Sequence, residues 1–323
     1  MKTRITPINT ETRTLISENP CNPCRKLSRR NFVRAGALFL PSVYLRASTT
    51  IVPGPLARHS VQAGFSAEPD LSDWVSRVQG QSSDVTGAGV QTAVGNFIVG
   101  CKTDGLWTRG YRIGAYAGDG RLALKAPLKN TLGAATDTLT GFVDANYGAN
   151  GLVGGSGKRI ETGFNMALLA GGEENNFSVA VYVRAAPGAA AIMLGCGTSG
   201  DATKGLYLYQ DTGQSACSMW AAAGQVSASG TQGGGFFLGS RTASNSLKLF
   251  KNGSQIGSTS TSPGTNVSLF DIWVHDGNLS NSSWLASSQT FCFYWIGKGL
   301  DSTQQGNLYT RVQTLQTAFS RQV

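Results

Sequence analysis

The run Phe177-Ser-Val-Ala-Val-Tyr-Val-Arg184 alternates with a period of two, so Phe177, Val179, Val181 and Val183 share one face. Only an extended strand keeps such a set on one side, because a helix would scatter it around its circumference. Two further runs behave the same way. Gly205-Leu-Tyr-Leu-Tyr-Gln210 separates Leu206 and Leu208 from Tyr207 and Tyr209, and Leu269-Phe-Asp-Ile-Trp-Val-His-Asp276 sorts Phe270, Ile272 and Val274 from Asp271, Trp273 and His275. Gly, Ser, Thr and Asn punctuate the chain between these runs from about residue 130 onward, the texture of many short antiparallel strands. Leu247-Lys-Leu-Phe-Lys-Asn-Gly-Ser-Gln-Ile256 predicts a hairpin, with Asn252-Gly253 suited to a turn whose two central φ angles are positive. A last strand, Phe291 to Ile296, precedes a helix with Leu308, Val312, Leu315 and Phe319 on one stripe and Asp301 or Ser302 as its cap. Residues 129–323 are therefore expected to form a mainly β, two-sheet antiparallel sandwich closed by a C-terminal helix.

Residues 64–128 read differently. Leu71, Trp74, Val75 and Val78 recur at helical spacing behind Asp70 and Asp73, and Val90, Val94, Phe97, Ile98 and Cys101 repeat at three and four. Two helices of this size cannot bury both stripes against each other alone, so they are expected to dock on the larger body.

The net charge of +9 misleads until it is located along the chain. Residues 1–60 hold ten basic and two acidic side chains, which leaves 17 basic against 16 acidic for the rest. A body this close to neutral lacks the basic stripe that displaces counterions from nucleic acid, so no nucleic-acid partner is expected. The basic excess surrounds Arg29 and Arg30, which precede an apolar run from Ala35 to Leu45. Those eleven residues would rise only about 16 Å as a helix, too short for a transmembrane anchor. Ser28-Arg29-Arg30-Asn31-Phe32-Val33-Arg34, with Ser28, Arg29, Arg30 and Phe32 as its signal residues, resembles the twin-arginine translocation signal of bacteria. The resemblance implies a leader and linker over residues 1–63 and a mature body that is periplasmic, at the cell surface or extracellular. Where the leader is cleaved stays open.

Cys21 and Cys24 form a lone C-x-x-C upstream of the apolar run, and a structural zinc site needs a second pair. Cys101, Cys196, Cys217 and Cys292 remain in the body. In an oxidising compartment Cys196 with Cys217 is the pairing to test first, with burial as free thiols the alternative.

The segments LKLFKNGSQIG, GLVGGSGKRIETG at 151–163 and FYWIGKGLDSTQQGNLYTRVQTLQTAF are similar to the laminin G-like, concanavalin A-like jelly rolls. NFIVGCKTDGLW at 96–107 is similar to the helical lead-in of such domains in bacterial and bacteriophage structural proteins. The resemblance covers roughly residues 66–320 and implies two packed antiparallel sheets with a shallow concave face, without fixing an activity.

Glycoside hydrolases on this sandwich would carry an E-x-D-x-E strand that puts two carboxylates about 5 Å apart on one face. No such run exists; Glu68, Glu161, Glu173 and Glu174 each lack an Asp two residues on. His275 is the only histidine after residue 60, and no G-x-S-x-G elbow accompanies it. Gly154-Gly-Ser-Gly-Lys158 imitates a phosphate loop but lacks its first glycine and its final Ser or Thr, so it reads as a turn. No cofactor is expected. Calcium through Asp271, Asp276 and Asn278, or through Asp201 and Asp211, stays open, although no D-x-D-x-D-G spacing is present.

Sugar recognition needs aromatic faces for stacking and polar groups for hydroxyls. Tyr207, Tyr209, Trp220 and Trp273, with Asp271, are the candidates. If their faces coincide on the concave sheet they form a platform; otherwise they are packing residues beneath the two N-terminal helices. The expected protein is an exported, non-catalytic binding module for carbohydrate or cell-surface glycan. The alternatives are a phage-derived or cell-surface part whose partner is a cell-surface or virion protein, and, third, a hydrolase with atypical carboxylates.

Overall fold

The computed structural model describes residues 68–81, 87–169, 171, 173–220, 225–262 and 267–323. The twin-arginine segment with Ser28, Arg29, Arg30 and Phe32, and the Cys21–Cys24 pair, lie outside the described residues.

The described residues open with helices α1 (Pro69–Gln81) and α2 (Ala88–Thr103) and close with α3 (Ser302–Ala318). Between them run β1 (Gly110–Gly114), β2 (Lys129–Asn130), β3 (Thr138–Thr140), β4 (Tyr147–Gly148), β5 (Gly151–Val153), β6 (Arg159–Glu161), β7 (Phe177–Val183), β8 (Ala191–Thr198) and β9 (Asp201–Gln210). The remaining strands are β10 (Gln214–Met219), β11 (Val226–Ser229), β12 (Gly235–Ala243), β13 (Ser246–Lys251), β14 (Ser254–Thr259), β15 (Trp273–Val274), β16 (Gly277–Leu279), β17 (Ser282–Trp284) and β18 (Thr290–Gly297).

They build the expected sandwich of two sheets, antiparallel except where β16 runs parallel to β8. The first sheet has the order β14-β13-β12-β7-β18-β1-β2, with β5 and β4 attached at β18. The second has the order β11-β10-β9-β8-β15-β6-β3, with β16 on β8 and β17 on β16. Because β1 and β2 pair inside the first sheet, the helical lead-in ends at Thr103 rather than near Leu128.

Alternation divides β7 as its sequence requires. Phe177, Val179, Val181 and Val183 point between the sheets, where they meet Leu206, Leu208, Leu249 and Ile296. Ala180 and Tyr182 point the other way into a second apolar layer with Trp74, Phe97, Ile98, Leu308 and Val312 from the three helices. Every residue of β7 is consequently buried, the signature of a sheet covered on both faces. Phe97 meets Phe293 edge-on at 5.7 Å, and the Trp74 indole donates to the Ala126 carbonyl at 3.2 Å. All three helices thus lie over the first sheet. The second sheet has one face toward the core and one away from the helices.

Candidate binding face

The outward side of β9 carries Tyr207 and Tyr209, both half-buried, while Leu206 and Leu208 are fully buried in the core. A row of aligned partners crosses this face from Glu161 through Trp273 and Gly195 to Tyr207 and Ser218. Only two of the four expected aromatics remain open on it. Trp273 points outward but is 4% exposed, because the Arg159 guanidinium lies 4.1 Å over its ring and is itself paired with Glu161 at 2.9 Å.

Trp220 does not belong to this face. Its φ of +58° turns it back after β10, so Met219 and Trp220, although consecutive, both enter the core. There Trp220 is fully buried against Phe177 at 5.2 Å. The aromatics are not covered by the N-terminal helices either, since those lie on the other sheet.

A tryptophan that alternation did not single out takes the vacated role. Trp284 ends the β16–β17 hairpin, is half-buried, and meets Tyr207 edge-on at 5.4 Å and 87°. Its position is fixed by backbone. The carboxylate of Asp276 accepts from the N–H groups of Gly277 at 2.8 Å and Trp284 at 3.0 Å. Asn278 accepts from the Asn281 N–H at 2.7 Å and donates to the Asp271 carbonyl at 2.9 Å. The hairpin tip is pinned by the Ser280 N–H donating to the Gly197 carbonyl at 3.1 Å. A Cβ at Gly197 would stand 3.2 Å from the Trp284 ring, so the indole lies directly over bare strand.

These residues border a groove of about 460 Å³ lined by Gly197, Gly205, Asp201, Tyr207, Gln225 and Trp284. The volume suits one or two sugar rings or a comparable small molecule. The Tyr207 hydroxyl donates to the Gln225 side chain at 2.9 Å, and burial holds its pKa above the ordinary tyrosine value. Asp201 pairs with Lys204 at 3.1 Å. Farther along β9, Tyr209 donates to Asp211 at 3.0 Å beside a second, shallower concavity of about 560 Å³ that also borders Ala190, Gln214 and Ser229. Backbone N–H donation from Gly213 and Gln214, with help from the Gln214 and Tyr209 side chains, holds the Asp211 carboxyl below the usual carboxylate range.

The carboxylates considered for calcium mostly hold loop backbone, although the second oxygen of Asp276 is buried without a hydrogen-bond partner. Asp271 accepts from the Asn165 side chain at 2.9 Å, Asp276 and Asn278 hold the β16–β17 hairpin, and Asp211 closes the β9–β10 turn. Among the described residues no three His, Cys, Asp or Glu side chains converge. Gly154 to Lys158 forms a turn between β5 and β6, closed by the Lys158 N–H on the Gly155 carbonyl at 3.0 Å. His275 is fully buried among Phe142, Phe291 and Tyr116, and neither ring nitrogen has a hydrogen-bond partner.

The Cys196–Cys217 pairing fails on geometry. Cys196 aligns with Leu206 and Cys217 with Leu208, so β9 runs between their strands. Two strand spacings put the Cα atoms about 10 Å apart, beyond the roughly 7 Å that a disulfide spans. Both are buried free thiols, as are Cys101 and Cys292. Burial pushes Cys196, Cys217 and Cys292 each up to about 12, which leaves them unreactive at neutral pH.

Fold and site together define a two-sheet antiparallel β-sandwich with a helical cover on one sheet and an aromatic-bordered groove on the other. No protein-family model matches the chain, and no curated protein does. Among solved structures the chain is similar to parts of sialidases and of a neurotoxin. With the NanB sialidase of Streptococcus pneumoniae it shares 12% identity at a TM-score of 0.36, over 43% of this chain and 24% of that one. With the CBM40 of the Ruminococcus gnavus IT-sialidase, bound to α2,3-sialyllactose, the values are 11% and 0.36, over 45% and 90%. With the binding domain of botulinum neurotoxin DC, in complex with rat synaptotagmin II, they are 12% and 0.38, over 50% and 42%. The chain thus spans about a quarter of the sialidase's length.

Proposed function

We propose that this protein is an exported, non-catalytic carbohydrate-binding module whose ligand seats on the outer face of the second sheet, in the groove between Tyr207 and Trp284. The observation that carries the reading is that edge-on aromatic pair, held by a hydrogen-bonded hairpin and flanked by Gln225 and Asp201. A half-buried aromatic over a glycine floor offers a sugar ring a flat apolar surface, and the amide and carboxylate beside it can meet hydroxyls. Calcium independence belongs to this reading; it is supported by the donors already on Asp271, Asp211 and one oxygen of Asp276, and by the lack of three converging His, Cys, Asp or Glu side chains among the described residues. The absence of a catalytic role is supported by Glu161 being paired with Arg159 and His275 having no hydroxyl or carboxylate partner.

A glycan array followed by calorimetry on the best ligand, with and without a chelator, tests this. Trp284→Ala should weaken binding by about tenfold or more, ~1.4 kcal/mol, with an unchanged thermal midpoint. Unaltered affinity in that variant would reject the site. No glycan binding, with a stable oligomer in light scattering, would move the protein to a structural role. Export through the twin-arginine route rests on Arg29 and Arg30 ahead of the apolar run. Arg29→Lys with Arg30→Lys should leave the protein in the cytoplasmic fraction, and normal export of that variant would refute the route.

A further inference from the structure

The two concavities on the second sheet border neighbouring residues of one strand. Tyr207 and Tyr209 are two residues apart on the same face of β9, hence about 7 Å apart along the strand. The groove at Trp284 borders Tyr207 and the shallower concavity borders Tyr209, so the two meet along one strand. From Asp201 to Asp211 this strand and its turn extend about 30 Å, far longer than a single sugar ring needs.

The charge on this face has one sign of excess. Among the described residues, Asp201 is the only charged side chain bordering the groove, and Asp211 the only one bordering the shallower concavity. The cations nearby are Lys204, held at 3.1 Å by Asp201, and Arg159, held at 2.9 Å by Glu161 and laid over Trp273. Asp211 stays ionised, held by backbone N–H groups rather than by a cation. A carboxylate on a ligand would therefore meet carboxylates at both ends of the strand and no available cation among the described residues bordering the two concavities.

We propose that the face binds an extended, uncharged polysaccharide chain laid along β9, with its first rings at Trp284 and Tyr207 and later rings at Tyr209, and that it discriminates against acidic glycans. This rests on the carbohydrate-binding reading above and adds to it ligand length, ligand charge and the role of Tyr209.

The test uses purified full-length protein, affinity electrophoresis on neutral polysaccharides (β-glucan, xylan, mannan) and on acidic ones (polygalacturonate, alginate), and 3′-sialyllactose in calorimetry. Oligosaccharides of two to six sugars from the best neutral polymer follow, at low salt so that charge effects are not screened. A neutral polymer should bind best, with affinity rising about tenfold from disaccharide to hexasaccharide. Tyr209→Ala should remove that gain while leaving the disaccharide affinity intact, which also shows that the variant is folded. Asp211→Asn, which can keep the turn's acceptor, should raise affinity for acidic chains severalfold. An acidic glycan as best ligand, or a disaccharide binding as tightly as the hexasaccharide, would overturn the proposal while leaving carbohydrate binding in place. No binding to any glycan would overturn both.

Discussion

Trp220 places its whole indole inside the sandwich, fully buried and 5.2 Å from the Phe177 ring. Trp220→Ala should leave a cavity and cost about 3–5 kcal/mol, read as a fall in the urea midpoint, while the folded variant keeps its glycan affinity. Wild-type stability in that variant would contradict the assignment. His275 is equally enclosed, with Phe291 at 3.9 Å and Phe142 at 5.2 Å. Burial, and secondarily the charge of Lys158, hold its pKa well below the ordinary value, so the folded protein keeps the ring neutral. The unfolded chain protonates it below about pH 6.5, hence binds more protons than the native state there. The stability it contributes is complete above about 6.5 and is lost as pH falls toward the folded-state value. Burial raises the neighbouring Asp276 carboxyl, whose effect has the opposite sign, so the histidine is best read in the interval just below about pH 6.5, above the ordinary carboxylate range. His275→Leu should flatten the stability curve in that interval, measured by urea denaturation at several pH values, and an unchanged slope would exclude the effect. Alternation sorted Tyr207 from Leu208 correctly but set His275 with the outward residues, and the expectation that Trp220 joins the aromatic platform failed as well. Both have positive φ, +58° and +70°, and a left-handed residue reverses the side to which its side chain points.

At the scale of the element, the β13–β14 hairpin was legible because its turn needs particular residues. Asn252 has φ +49° and Gly253 φ +78°, and a Cβ at Gly253 would stand 2.8 Å from the Tyr309 ring of α3. Gly253→Ala should therefore cost on the order of 1–2 kcal/mol, seen as a lower thermal midpoint, and no loss would mean that the turn relaxes freely. The cap of α3 was legible for a similar reason. Asp301 accepts from the Thr303 and Gln304 N–H groups at 2.9 Å while Gln304 reaches back to the Asp301 N–H at 3.1 Å. The β16–β17 hairpin has the same two-residue geometry, with Ser280 at φ +52° and Asn281 at +66°, but no glycine marks it and its strands lack apolar alternation. That is why Trp284 escaped the sequence reading although it borders the groove.

At the scale of the molecule, one buried network ties β1 and the loop after β2 to the central strand β18. Arg112 on β1 is fully buried and donates through Nε at 2.9 Å and Nη2 at 2.6 Å to Asp137, which also accepts from the Tyr294 hydroxyl at 2.6 Å. Burial opposes the charge on Arg112, but the attraction of Asp137 outweighs it and keeps the guanidinium ionised. Asp137→Ala would strand that charge in the interior and should cost about 3–5 kcal/mol by urea denaturation, with Arg112→Met added back restoring much of it. A loss under 1 kcal/mol for the single variant would show that water reaches the site.

Local sequence determined β7, β9, the β13–β14 hairpin with its Asn-Gly turn, β18, the capped last helix, the two leading helices and the neutrality of the body, because each follows from residue spacing or composition within a few positions. Only the tertiary structure decided which sheet the helices cover, and so which face is left for a ligand. It also sent Trp220 inward, laid Arg159 over Trp273, kept Cys196 and Cys217 a strand apart and brought Trp284 beside Tyr207. Those outcomes depend on residues far apart in the chain meeting across a sheet, and on single left-handed positions that a period of two does not encode.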